Sequence, residues 1–165
     1  MDKEKFIQKE ERPLAVTVCE YTEEKIPDVV DFEKRLREEE DVWGWEIDEA
    51  YVRSVKESFR DCRFENAVSL LAYTDGHVTG RIDTALIPTR MDGSVNAYLD
   101  WICVLKSARH RGIAQALLGE LKAILKEKGV TTLVALTAAN EEAQRFYKSV
   151  PDSEMRDVGI WINIR

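Results

Sequence analysis

The stretch AYLDWICVLKSARHRGIAQALLGELKAILKEKG, residues 97–129, runs from a strand through a basic loop into a helix. Its first eight residues carry the aromatic and β-branched side chains that suit a strand. Leu117, Leu118, Leu121, Ile124 and Leu125 then recur at helical spacing, so one face of the helix packs on a sheet. Between the two elements stand Arg109, His110, Arg111 and Gly112. A loop entering a helix at glycine exposes unpaired amides at the positive end of the helix dipole, where a bulky anion can approach the main chain. Phosphate suits such a place. The plainer reading, arginines at a helix start that only face water, is the preferred one when the loop is taken alone.

Outward from this stretch the chain reads as one continuous domain without repeats or linkers. A strand is expected over residues 15–21 and a helix from about 23 to 39, and Asp48 is placed to cap a second helix reaching about residue 60. Residues 67–73 and 78–87 read as strands joined at Asp75-Gly76, a hairpin signal. After the turn at Met91-Asp92-Gly93-Ser94 come the quoted strand and helix, a strand over 131–137, a helix over 141–150 and an alternating strand over 158–164. A strand, helix, strand unit crosses over right-handed to pair in parallel, so the sheet is expected to be mixed, with its parallel pairing near the middle. Ligands in such sheets favour the carboxyl ends of the parallel strands, near Val104 and Thr137.

The 165 residues suffice to bury about 70% of the surface of the unfolded chain. With 44% hydrophobic and 33% charged residues, the composition is that of a globular protein. The charged start, MDKEKFIQKEERP, lacks the apolar core of a signal peptide, and no apolar run has the length of a membrane span. A cytoplasmic protein with no membrane partner is expected. Cys19, Cys62 and Cys103 are too irregularly spaced for a disulfide framework, and with two histidines and no Cys-x-x-Cys no metal is expected. The net charge of −7 argues against a nucleic-acid partner. Acidic residues crowd positions 38–49, whereas 106–130 is basic, so an anionic ligand belongs to the second stretch. Neither G-x-x-x-x-G-K-[ST] nor G-x-G-x-x-G occurs after a strand.

Arg109-His110-Arg111-Gly112-Ile113-Ala114 resembles the [QR]-x-x-G-x-[GA] acyl-CoA pyrophosphate loop of the GNAT superfamily of N-acetyltransferases. Asn140-Glu141-Glu142-Ala143-Gln144-Arg145-Phe146-Tyr147 resembles that family's N-x-x-A-x-x-F-Y block, and the element order agrees over nearly the whole chain. Ala114 stands at the final glycine position, Lys106 replaces a frequent proline, and Val150-Pro151-Asp152 stands where the second block usually continues into Gly-Phe. The resemblance implies an α+β (mixed α/β) fold with a central twisted sheet of six to seven strands and four flanking helices. It also implies acetyl-CoA as acyl donor and an amine as acceptor. The cofactor residues it points to are Ile102, Cys103 and Val104 along the strand, Arg109, His110, Arg111, Gly112, Ile113, Ala114 and Gln115 in the loop and helix start, and Asn140.

Acetyl transfer from a thioester to an amine requires a deprotonated amine, a polarised carbonyl and a protonated leaving thiolate. Backbone groups at 102–104 can pair with a pantetheine arm like an added strand. Resemblance makes Tyr147 the acid; a free tyrosine titrates near 10, close to an alkyl thiol, and the alternative is a core tyrosine reaching water. Asp100 is the candidate base, alternation placing it on one face with Tyr98, Ile102 and Val104, or else a carboxylate that only orients its neighbours. Asn140 also reads as the cap of the last helix. Cys103, with no evident histidine partner, reads as packing rather than as a nucleophile. Trp43, Trp45 and Glu46 lie between the first two helices, which in this family often line the acceptor cleft. Trp45 and Glu46 suit a cationic amine, while packing of the helices is the simpler role for the tryptophans. The acceptor is a small molecule or a peptide, a homodimer is left open, and the alternative function is a non-catalytic acyl-CoA-binding or regulatory module.

Overall fold

A computed structural model describes residues 15–41, 44–136, 140–156 and 162. The strand β1 (Thr17–Glu20) leads through a 3-10 turn (Glu23–Lys25) into α1 (Ile26–Glu39), whose Pro27 sits in the first turn, where a missing amide costs nothing. Asp48 caps α2 (Glu49–Ser58), its Oδ1 accepting the Tyr51 amide at 2.8 Å. β2 (Ala67–Thr74) and β3 (His77–Pro88) meet at Asp75-Gly76, both left-handed, with φ of 51° and 80°. That is the two-residue turn whose twist suits a hairpin. β4 (Val95–Val104), a 3-10 turn (Lys106–Ala108), α3 (Ile113–Glu127), β5 (Leu133–Ala135) and α4 (Glu141–Ser149) complete the order. Among the described residues no helix is long and apolar enough to cross a membrane.

The described sheet has five strands in the order β1-β2-β3-β4-β5, antiparallel except for the parallel pair β4 and β5. The mixed α+β architecture is as expected, and the parallel pair of the described strands is β4 with β5. The strand expected over residues 158–164 lies outside the described residues, apart from Ile162. Beyond α4 the chain turns at Pro151-Asp152, and Ser153 Oγ donates to the Tyr147 carbonyl at 2.8 Å. The Val150-Pro151-Asp152 departure thus folds the chain back on the end of its own helix.

The two sheet faces are covered by different helices. α3 buries Ile113, Leu117 and Leu121 on the face that Gly80 presents, each such side chain contributing about 1.5–3 kcal/mol by leaving water. α1 covers the other face with Val29, Phe32 and Leu36, where Arg81 reaches Glu33. In the pairing of β3 with β4, Asp83 faces Trp101 and Thr84 faces Leu99, leaving Asp100 as an extra residue. This bulge shifts the alternation. Tyr98 pairs with Ala85, on the Arg81 face, whereas Ile102 pairs with Ile82, on the Gly80 face. The single face expected for Tyr98, Ile102 and Val104 is therefore divided, because period-two counting cannot register an inserted residue.

Candidate active site

α3 begins at Gly112, whose φ of 81° is left-handed, and no side chain caps it. Glycine suits that conformation because it has no Cβ to clash. Among the described residues the first amides of the helix thus have neither intrahelical nor side-chain partners. His110, also left-handed at φ 61°, bends the loop before it. The loop is anchored behind this point: the Ser107 amide and hydroxyl donate to the two carboxylate oxygens of Glu39 at 2.9 and 2.7 Å.

Beside the helix start, β4 and β5 part. Their pairing covers Ala97 with Leu133, Tyr98 with Val134 and Leu99 with Ala135, and β4 then continues to Val104 with no strand beside it on that side among the described residues. A cleft of about 990 Å³ opens there. It takes in residues 100–104 of β4, the start of α3 and the cleft-facing side of α4, a volume at the upper end for a small-molecule site.

Most of the residues expected from sequence meet in this cleft. Asp100, Ile102, Cys103, Val104, Arg109, His110, Gly112, Ile113, Ala114, Gln115, Asn140 and Tyr147 all line it. Arg111 is exposed and outside the lining. Asn140 caps α4 through Oδ1, which accepts the Ala143 amide at 2.8 Å, so its plain structural role is present. Tyr147 lies edge to face with Phe146 at 5.2 Å, and burial raises its pKa above the ordinary value, with Tyr98 adding to the effect. Burial likewise pushes the Cys103 thiol up to about 11, only partly opposed by the Arg109 charge. A thiol held neutral near pH 7 is a poor nucleophile.

Trp45 and Glu46 are exposed and do not line the cleft. Trp45 lies 5.6 Å from the Tyr51 ring on α2, while Trp43 lies outside the described residues. Tyr51 in turn donates to Glu33 Oε1 at 2.8 Å.

Sequence reasoning missed two groups. Behind β4, Arg81 pairs with Glu33 Oε1 at 3.1 Å and with Asp83 Oδ1 at 3.0 Å, its guanidinium 5.0 Å from the Tyr21 ring and 5.8 Å from that of Trp101. Burial raises the Glu33 pKa against the opposing effects of Tyr51 and Arg81. The available signal was an acid on the apolar stripe of α1, among Ile26, Val29, Phe32 and Leu36. In the cleft itself, Glu40 and Glu142 are lining residues and both pair with Arg109. No local signal marks them. Among the described residues no cluster of potential metal ligands occurs.

The model of the acetyltransferase (GNAT) family matches residues 18–150. The chain matches no curated protein by sequence. Among solved structures it is similar to an aminoglycoside acetyltransferase from an uncultured soil metagenomic sample, in complex with trehalose, at 14% identity and a TM-score of 0.76 over 91% of this chain and 97% of that one. A ribosomal-protein-alanine N-acetyltransferase from Brucella melitensis biovar Abortus 2308 is similar at 21% identity and a TM-score of 0.71, over 92% and 99% of the two chains. AAC(6')-Iy in complex with the bisubstrate analog CoA-S-monomethyl-acetylneamine matches at 19% identity and a TM-score of 0.71, again over 92% and 99%. At these identities the likeness establishes the fold.

Proposed function

Because the chain belongs to the GNAT family of acetyltransferases, we propose that it moves an acetyl group from acetyl-CoA to a primary amine by direct attack in a ternary complex. The observation that carries this reading is the uncapped start of α3 at a left-handed Gly112, opening into the same cleft as the unaccompanied edge of β4 and Tyr147. Uncapped amides at a helix start fit a diphosphate, and an edge strand fits the amides of a pantetheine arm.

In this reading the amides of residues 112–115 hold the diphosphate, and the backbone of Ile102, Cys103 and Val104 aligns the arm. Acetyl-CoA supplies an activated thioester. Asp100, exposed at the bulge and lining the cleft, accepts a proton from the acceptor ammonium, directly or through water. Tyr147 keeps its proton at neutral pH and gives it to the leaving sulfur. Cys103 takes no covalent part. Three free thiols suit a reducing cytoplasm.

The acceptor proposed is a small cationic amine, drawn by the exposed acids of the α1–α2 segment, Glu46 beside Trp45 among them. Its support is the acidity of that segment together with the aminoglycoside acetyltransferases among the similar structures. Release of free thiol from acetyl-CoA, measured against a panel of aminoglycosides, polyamines and alanine-starting peptides, tests donor and acceptor together. We expect turnover with at least one multiply charged small amine. Turnover with the peptides alone would replace the acceptor, and binding of acetyl-CoA without thiol release from any of the panel would favour the non-catalytic module.

A further inference from the structure

We propose that the Arg109 side chain is a strut joining three walls of the cleft rather than a ligand for the diphosphate, with Glu40 and Glu142 as its positioning residues. Its Nε donates to the carbonyl of Val104, at the end of β4, at 3.2 Å. Nη2 donates to Glu40 Oε2, just beyond α1, at 2.6 Å, and Nη1 to Glu142 Oε2, in the first turn of α4, at 3.2 Å. One planar guanidinium thus ties together elements 69 and 33 residues away along the chain. Only arginine offers donors in the three directions this requires.

Charge supports the assignment. With the His110 imidazole, 3.7 Å from Glu142 Oε1, neutral, two carboxylates against one guanidinium leave this spot with a formal excess of one negative charge, which does not attract an anion. The Arg109 side chain is 24% exposed, as is that of Glu40, so the pair is partly shielded from solvent. Arg111 makes no ion pair among the described residues and stands exposed, which leaves its charge available. The end of α1 grips the loop a second time, through Glu39 and Ser107. α4, by contrast, has no fully buried residue. Phe146 and Tyr147 pack partly buried against the core, and the tie from Glu142 adds a link from the first turn, at Asn140, to the end of β4.

The binding arm of the test rests on the function proposed above, and the sign of the effect decides it. If Arg109 bound the diphosphate, Glu40→Gln or Glu142→Gln would release the guanidinium and tighten acetyl-CoA. For a strut, each should instead weaken calorimetric affinity, by about 3- to 10-fold, and raise KM for acetyl-CoA with kcat at saturation nearly unchanged. Arg109→Lys keeps the charge but loses the fork, and should weaken affinity comparably; adding Glu142→Gln to it should cost little more. Tighter binding in either glutamine variant, or wild-type affinity in Arg109→Lys, overturns the proposal. A second arm needs no cofactor: urea unfolding of Arg109→Lys, Glu40→Gln and the double variant should show coupling between the two sites, and strict additivity overturns the strut. If the wild-type protein fails to bind acetyl-CoA, the proposed function falls and the unfolding cycle alone decides the strut.

Discussion

Tyr147 and Cys103 share one cleft, and burial acts on both in the same sense, making each hold its proton more firmly than it would in water. For Tyr147 this suits proton donation; for Cys103 it removes nucleophilic character. Tyr147→Phe should lower kcat by about 10²- to 10⁴-fold while leaving acetyl-CoA affinity and the unfolding midpoint nearly unchanged. Cys103→Ala, which alters the same cleft, should stay within a few-fold of wild type. The pH profile follows from the direction of the shift. A raised tyrosine pKa keeps the acid form present throughout the neutral range, so loss of the donor should begin only above about pH 10. A wild-type profile whose alkaline limb falls near pH 8, or a Tyr147→Phe enzyme of normal kcat, would move the acid role to another group.

Among the elements, α3 packs tightly on β3 at Gly80, where a Cβ would stand 2.9 Å from Ile113 Cγ2 and 3.1 Å from Leu117 Cδ1. Ile113 is fully packed and is also the first residue of the helix that offers its amides to the cleft. Gly80→Ala should therefore destabilise by about 1–3 kcal/mol and weaken acetyl-CoA binding as well, since relief of the overlap displaces the helix start. Gly119, in the same helix with open space where its Cβ would be, gives the opposite expectation: Gly119→Ala should stabilise by up to about 1 kcal/mol and leave binding alone. Urea unfolding and calorimetry on the two variants check both signs. The features legible in the sequence are of this local kind. Asp48 and Asn140 as caps, Asp75-Gly76 as a turn and Gly112 at a helix start each depend on residues within a few positions along the chain. The bulge at Asp100 was not legible, because it exists only in the register between β4 and β3. Nor were the partners of Arg109, which the fold brings in from two distant elements.

At the scale of the whole molecule, the acidic stretch from Glu38 to Glu49 does not act as one surface. Glu39 and Glu40 turn inward to the loop before α3, while Glu46 stays exposed. The parting of β4 from β5 after Leu99 has a cost that is separate from chemistry. From Asp100 to Val104 a run of amides and carbonyls has no described strand beside it, and such an edge is a template on which a second chain can pair. A bound pantetheine arm would cover that template, so the acyl donor would also act as a guard against self-association. Light scattering during incubation several degrees below the unfolding midpoint should therefore rise more slowly with coenzyme A present. Desulfo-coenzyme A, which keeps the arm but cannot carry an acyl group, should protect equally, whereas adenosine 3',5'-bisphosphate, which lacks the arm, should not. Equal protection by all three would trace the effect to general stabilisation and leave the open edge harmless.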